Sequence, residues 1–353
     1  FDEEPRVKAI FLTLPRLPTR KQRHINANTY EIHLYPLMKR IETFDISRGI
    51  AIILVILGHM MHLSLIPSQW IFTFHMPFFF ILSGMLYIPG KYDSLSLFII
   101  KKTKTLFIPT LLLTLVLISI TELLHQGYNI PHRFLSGDRF PIIWFLYTLF
   151  FTELIYYFVQ KISTMYRCLL LLASLLIGYT LSRDNITLPY NSENIFTSIF
   201  FYGISNTLFS IQNESTSYIY KNTSFTKDGL ASLGLIFPLL IVFHYRESFE
   251  LSTNQIPSHI ISFIIAAFSA SFSLIYFSAR IKHNKMLAYI GQNTLLILIL
   301  HAPIIGLAST YIRPHLTNFV FYKLIEFTFA LGASLAIAPA VNTYIPWLVG
   351  KNK

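Results

Sequence analysis

The first apolar stretch of the chain carries three side chains that could do chemistry: Asp45, Arg48 and His59, in the segment FDISRGIAIILVILGHM. Arg48 and His59 are separated by about three helical turns, or roughly 16 Å, so both lie on one helix face, with Asp45 near the same stripe. A charged residue inside a membrane helix is costly and usually functional. An imidazole can take a proton from a hydroxyl group near neutral pH. The segment therefore predicts a charged helix end in line with a buried catalytic base.

The next apolar stretch, FHMPFFFILSGM, contains a second histidine, His75, followed by Pro77. A short turn with Pro67 joins the two stretches, so we expect antiparallel neighbours with His59 and His75 at comparable depth. A lone histidine could simply bond to a neighbouring helix, and Arg48 could extend to the membrane surface. The alignment of Asp45, Arg48, His59 and His75 favours a catalytic site over these two structural explanations. No third ligand stands nearby at metal-binding spacing, so no metal is expected.

Four later residues are secondary candidates for substrate binding. Glu153 lies inside an apolar stretch and could pair with substrate or with a histidine. Trp144 could stack on a sugar ring or anchor the chain at the membrane surface. His301 lies near the middle of a late span, where cavity lining and helix packing are both open. Asn293 could contact substrate, although helix capping is the simpler reading.

The elements that must position these residues are membrane helices. Hydrophobic residues make up 53% of the chain and charged residues 13%, which excludes a soluble all-α protein. Apolar runs of spanning length predict an all-α integral membrane bundle of about ten transmembrane helices. The predicted spans cover about 46–66, 70–88, 105–123, 141–160, 167–182, 194–211, 229–245, 257–278, 291–309 and 324–348.

The distribution of charge along the chain predicts how the protein is oriented in the membrane and, with the positions of the apolar runs, where the membrane domain begins. Lysine and arginine are concentrated in alternate loops, which predicts that both termini are cytosolic. The net charge of +11 comes with no nucleic-acid motif, so we expect contact with the lipid bilayer and not with nucleic acid. Residues 1–37 are basic, contain no spanning run and are expected to be a flexible or upstream extension. Residues 40–350 are expected to form one integral membrane domain.

Several motifs occur together in an order that resembles the acyltransferase-3 family of bacterial membrane O-acyltransferases. The first two spans carry the most specific ones. Later matches include a tryptophan-containing span and a late span with His-Ala-Pro. The motifs are Asp45-Ile-Ser-Arg48-Gly49, Gly58-His59, Phe74-His75-Met76-Pro77, Leu82-Ser83-Gly84, Ile142-Ile143-Trp144-Phe145-Leu146, Ile290-Gly291-Gln292-Asn293-Thr294-Leu295 and His301-Ala302-Pro303. Within this family, the motifs of the chain look most similar to those of the fucose 4-O-acetylase-like branch.

The resemblance implies roles for individual residues. His59 matches the family's candidate catalytic base, and Arg48 matches an arginine needed for activity. An Arg-x-x-Arg pair in the family corresponds here to Lys101 and Lys104, which keep the charge but lose the bidentate geometry of arginine. Plain positive-inside charge explains these lysines equally well. Together with Arg48, Lys101 and Lys104 would hold the phosphates of acetyl-CoA. Asp45 would either orient Arg48 or simply be a polar residue at the membrane surface.

The implied function is O-acetylation of a cell-surface glycan or exopolysaccharide, or of its lipid-linked precursor, in the bacterial inner membrane. Acetyl-CoA would be the acyl donor, and glycan biosynthesis machinery a possible partner. Direct transfer and a histidine-linked acyl intermediate both remain open. A transporter or flippase for a glycan or lipid-linked intermediate is the alternative function, in which His and Arg would form a substrate path. An inactive scaffold is disfavoured because Arg48 and His59 are both present.

Overall fold

The computed structural model describes residues 41–61, 65–123, 144–211, 224–247 and 249–351, except for the side chains of 116–118 and 120–123. These residues are helical apart from their turns and one isolated bridge between Glu250 and Gln255. The helices are α1 (Glu42–Met60), α2 (Ile66–Leu86), α3 (Leu95–Lys102), a π-helical turn (Thr103–Phe107), α4 (Ile108–Leu123), α5 (Trp144–Val159), α6 (Thr164–Arg183), α7 (Asn194–Phe209), α8 (Phe225–Tyr245), α9 (Ile260–Ile281), α10 (Lys285–Gln292), α11 (Thr294–Tyr311) and α12 (Phe319–Tyr344).

The all-α membrane fold is confirmed, and each predicted span has a helix at its position. Within the described residues, seven helices are long and apolar enough to cross a membrane. The other three predicted spans correspond to α4, α5 and α7, which have 16 residues each. The cytosolic position of the termini stays a prediction. The predicted extension over residues 1–37 lies outside the described residues.

The helices α1 and α2 form the centre of the bundle. In the apolar 18-residue stretches of α1 and α2, 61% and 83% of the residues are buried, against 17% in the corresponding stretch of α8. The helix α1 contacts α2, α9, α10, α11 and α12, while α2 also contacts α7, α8 and α9. The outer helices expose large apolar side chains, among them Leu176, Leu240 and Val320, as expected of surfaces that face lipid. The four residues expected to be catalytic, Asp45, Arg48, His59 and His75, therefore lie on the most enclosed helices.

Two glycines let α10 approach α1 closely beside Asp45. A Cβ atom on Gly291 would stand 1.8 Å from the backbone oxygen of Asp45, and one on Gly49 would stand 2.2 Å from that of Leu287. Only glycine leaves room for backbones at this distance. The short helix α10, which the apolar-run reading missed, thus fixes the start of α1 and the side chains it carries.

A third glycine serves the contact between α2 and α7. A Cβ atom on Gly84 would stand 2.0 Å from the backbone oxygen of Tyr202. Just beyond it, the amide nitrogen of Asn206 donates to the backbone oxygens of Gly84, at 2.9 Å, and Tyr87, at 2.7 Å. The bond to Tyr87 satisfies a carbonyl beyond the end of α2, and the bond to Gly84 adds to the one that this carbonyl accepts from the backbone N–H of Tyr87. The end of α2 is thereby held against α7.

Candidate active site

His59 lies in the last turn of α1, and the expectation that it sits deep in a longer span was wrong. The first span was predicted to run to residue 66, but α1 ends at Met60. Pro67 instead falls in the first turn of α2, where proline is favoured, so the chain must turn before it. His59 is consequently exposed at the end of its helix.

Three histidines from three helices meet at this point. The ring centroid of His59 is 6.5 Å from that of His75 on α2 and 5.3 Å from that of His301 on α11. Phe72 packs edge-on against both His59 and His75. His75 and His301 are each 3% exposed. The structure therefore brings the two predicted histidines together and adds His301, whose role the sequence left open.

The two buried histidines have the same local environment. The Nδ1 atom of His75 lies 2.9 Å from the backbone oxygen of Ile71, and that of His301 lies 3.1 Å from the backbone oxygen of Ile297. A carbonyl only accepts, so each neutral ring donates from Nδ1 and keeps a lone pair on Nε2. The Nε2 atom of His301 is buried and has no hydrogen-bond partner. A proton acceptor is thus held beside His59.

Arg48 and Asp45 form the charged end of α1. The Nη1 atom of Arg48 lies 3.4 Å from Oδ1 of Asp45, and the amide of Gln292 donates to Oδ2 of Asp45 at 3.4 Å. Asp45 is 2% exposed, whereas the Arg48 side chain is 31% exposed. The buried carboxylate therefore orients a guanidinium that still reaches solvent.

Arg48 lines a cavity of about 180 Å³. Its charged lining consists of Arg48, Lys91, Lys102 and Glu153, and the rings of Tyr87 and Tyr202 form part of its wall. The Nζ atom of Lys102 lies 2.7 Å from Oε2 of Glu153, which is 6% exposed. With three cationic side chains and one carboxylate, the cavity suits an anionic ligand.

Lys91 stands in the turn after α2, where burial lowers the pKa of its ammonium. The positive charges of Lys102 and Lys101 lower this pKa further, and Glu153 opposes them. Like charges disfavour the protonated form when they are held close together. A bound anion would reduce this repulsion and stabilise the protonated form of Lys91, as expected for a lysine that binds an anion.

Several predicted site residues lie elsewhere. Lys101 and Lys104 are not part of the cavity lining, and Lys104 is exposed. Trp144 begins α5 and is 6% exposed, so it is buried within the bundle. Asn293 occupies the N-cap position of α11, as expected, but its side chain makes no capping bond to that helix.

Asn293 instead joins three parts of the chain. Its amide nitrogen donates to the backbone oxygen of Tyr289, and its Oδ1 accepts from Asn342 at 2.8 Å and from Lys351 at 3.2 Å. The C-terminal segment beyond α12 is far away in sequence. Capping statistics, which are local, could not reveal this contact.

Some charged residues of the structure are not singled out by the sequence. Nothing in the local pattern distinguishes Lys91 and Lys102 from the other basic residues of the loops, although an intramembrane carboxylate such as Glu153 requires a cationic partner. On α12, Glu326 is 1% exposed and binds Lys323 at 2.7 Å and the hydroxyl of Tyr322 at 2.9 Å. Their spacing of three and four residues was a readable signal.

The described residues contain no group of three or more His, Cys, Asp or Glu side chains placed to hold a metal ion.

A family model described as an acyltransferase domain matches residues 41–342. The chain belongs to this acyltransferase family. The match includes α1 to α11 and nearly all of α12, so the histidine cluster and the cationic cavity both lie inside the family domain. Neither a curated protein nor a solved structure matches the chain. The family favours an enzyme over the transporter alternative, and the protein is a multi-pass membrane acyltransferase.

Proposed function

We propose that this acyltransferase moves an acyl group, in the simplest case acetyl, from acyl-CoA to a sugar hydroxyl of a cell-surface glycan or its lipid-linked precursor. The cationic cavity at the end of α1 is the observation that carries the donor assignment. The acceptor and the location in a bacterial inner membrane rest on the resemblance of the sequence motifs. The fucose 4-O-acetylase-like branch is part of the same proposal.

The donor's phosphates would bind in the cavity. Arg48 offers a planar donor fork and Lys91 and Lys102 offer point charges, so together they match a ligand with several phosphate oxygens. We replace the predicted pair Lys101 and Lys104 by Lys91 and Lys102 in this role, because only the latter two line the cavity. Glu153 would keep Lys102 in place until the donor arrives.

His59 would act as the base. It takes the proton from the acceptor hydroxyl while the oxygen attacks the thioester carbonyl. The carbon–sulfur bond then breaks, and the thiolate leaves with the proton from His59, giving an ester and free CoA. The rise of α1 separates Arg48 from His59 by roughly 16 Å, a distance that the flexible arm of the donor would bridge. An acyl group carried on His59 is the competing mechanism.

His75 and His301 would support this base. Each presents a neutral ring toward His59, with Nδ1 tied to backbone. A neutral imidazole can accept a hydrogen bond from the imidazolium that forms on His59 during transfer. Asp45 contributes by orienting Arg48.

Inside-out membrane vesicles that contain the protein and radiolabelled acetyl-CoA test the donor assignment. We expect label to enter the glycan or lipid-linked fraction, and Lys102→Met to raise the KM for acetyl-CoA about tenfold, because a bond to a charged group is lost. Lys104→Met is the matched control and should leave this KM unchanged. The double variant Lys102→Met/Glu153→Gln removes the carboxylate that the single variant leaves unpaired.

Absence of label with the wild type would overturn the donor assignment. Equal KM values for the wild type, Lys102→Met and the double variant would overturn the assigned cavity.

A further inference from the structure

The segment that follows α12 packs back onto the bundle. It makes one 3-10 turn, Pro346–Val349, and continues to Lys351. Val349 packs with Leu296 of α11 and Val341 of α12 in a buried apolar cluster. Burial of these apolar side chains anchors the turn, and the anchored turn fixes where Lys351 stands.

Lys351 joins two asparagines from different parts of the chain. Its Nζ donates to Oδ1 of Asn342 at 2.8 Å and to Oδ1 of Asn293 at 3.2 Å. The amide nitrogen of Asn342 donates to the same Oδ1 of Asn293 at 2.8 Å, and that of Asn293 donates to the backbone oxygen of Tyr289. An ammonium only donates and a carbonyl only accepts, so neither carboxamide can be turned around. The network therefore requires a cationic donor at position 351.

On one side this network leads to Arg48. Asn293 directly follows Gln292, whose amide donates to Oδ2 of Asp45 at 3.4 Å, and Asp45 pairs with Arg48. The close backbone contact between Gly291 and Asp45 leaves no free space between α10 and α1. Close-packed elements transmit displacements to their neighbours. A shift of Asn293 is therefore expected to move the guanidinium that lines the cationic cavity.

On the other side the segment lies against the π-helical turn. A Cβ atom on Gly350 would collide with the backbone oxygen of Thr105, so the two backbones touch. Gly350 has a φ of +69°, which also favours glycine. The π-helical turn begins directly after Lys102, and the hydroxyl of Thr105 donates to the backbone oxygen of Lys101 at 2.9 Å. Single π turns occur frequently at functional sites. The segment thus supports the backbone that presents Lys102.

The segment consequently connects the two sides of the cationic cavity. Arg48 stands on α1 and Lys102 ends α3, and both line the cavity. The helix α1 packs mainly on α2, α9, α10, α11 and α12, so other segments must set its distance from α3. This distance matters for a ligand with several phosphate oxygens, because charged hydrogen bonds depend on distance and angle.

We propose that Pro346–Lys351 is a brace that sets the spacing between Arg48 and Lys102, with Lys351 as its positioning residue. The inference rests on the proposed binding of the donor's phosphates in the cationic cavity. Lys351 does not line that cavity, so it acts through the residues that do. The brace affects donor binding and not the proton transfer at His59, which lies about three helical turns from Arg48.

The KM for acetyl-CoA, measured by acyl transfer in membrane vesicles, tests the brace. Lys351→Met should raise this KM roughly fivefold at unchanged kcat and Tm, because the cavity keeps its charges but loses their spacing. Lys351→Arg keeps a charged donor and should restore the KM to within about twofold of the wild type. Lys285→Met, at an exposed lysine on α10, is the matched control. An unchanged KM for Lys351→Met, or a parallel fall of its kcat and Tm, would overturn the brace.

A combined variant separates failure of the brace from failure of the donor assignment. In the Lys102→Met/Glu153→Gln background one of the two spaced cations is gone, so adding Lys351→Met should not raise the KM further. A further rise of the same size as in the wild type would overturn the brace alone. A background KM equal to that of the wild type would overturn the donor assignment, and the brace with it.

Gly350→Ala disturbs the brace at its contact with the π-helical turn. The added Cβ would push the segment away from Thr105, so the KM should rise as it does for Lys351→Met. Gly332→Ala, on α12 with open space around its Cβ, is the control and should leave the KM unchanged. Equal KM values for the two alanine variants would overturn the brace.

Discussion

His59 and His301 face each other across the junction of α1 and α11, with ring centroids 5.3 Å apart and a tilt of 39° between the ring planes. The first ring is exposed and the second is buried. Nδ1 of His301 is tied to Ile297 and its Nε2 is unpartnered. An accessible imidazole is thus backed by one that can only accept a proton or hydrogen bond at Nε2.

Replacing His301 by Asn tests this relationship. The asparagine amide nitrogen can still donate to the backbone oxygen of Ile297, but the basic ring nitrogen Nε2 beside His59 is lost. We expect kcat to fall roughly ten- to hundredfold, because a base that is poorly oriented transfers protons slowly. The KM for acyl-CoA should stay the same, since the cationic cavity lies about three turns away along α1.

The measurement is steady-state acyl transfer with Tm recorded for each variant. His244→Asn, at an exposed position on α8, is the matched control. An unchanged kcat for His301→Asn at unchanged Tm would show that this ring only fills space.

The lowered pKa of Lys91 predicts the pH dependence of donor binding. Affinity for an anionic donor should be complete below this pKa and fall as pH rises through it, because neutral lysine no longer attracts phosphate. In Lys91→Arg the charge persists at every accessible pH. The KM of the wild type should therefore rise at alkaline pH while that of Lys91→Arg stays level. Parallel profiles for the two proteins would contradict the role of Lys91.

The contact between α1 and α10 predicts a sharp effect of one methyl group. Gly291→Ala would place its Cβ 1.8 Å from the backbone oxygen of Asp45. Either α10 moves away or Asp45 and Arg48 shift, so we expect a loss of stability of about 1–3 kcal/mol together with weaker donor binding. Gly306→Ala, on α11 with open space around its Cβ, should be neutral or stabilising by about 0.5–1 kcal/mol. Equal Tm values for the two variants would refute the close contact.

Much of the fold could be predicted because the length of an apolar run is sufficient to identify a membrane helix. The ten positions followed from hydropathy alone, as did the neighbouring placement of His59 and His75 from the short turn. The short helices α3 and α10 were missed, since amphipathic segments of eight residues have no such signal. The end of α1 was placed too late because apolar residues continue past Met60 into the turn.

The site was only partly predictable. His59, His75, Arg48 and Asp45 lie close together in sequence, and local spacing placed them. The approach of His301 to His59, and of Lys102 to Glu153, depends on how distant helices pack, which no local pattern encodes. Lys101 and Lys102 are adjacent in sequence, but the helix turns them to different faces, so charge alone could not choose between them.

The central claim is that His59 is the base of an O-acyltransferase, and glycan acetylation in cells tests it most directly. Cells lacking the native gene would carry the wild type, His59→Ala or His244→Ala, with membrane levels matched by immunoblotting, and ester-linked acetate on surface glycan would be measured by mass spectrometry. We predict acetate with the wild type and His244→Ala, and a loss of at least about a hundredfold with His59→Ala. Acetylation by His59→Ala at the wild-type level would contradict the account.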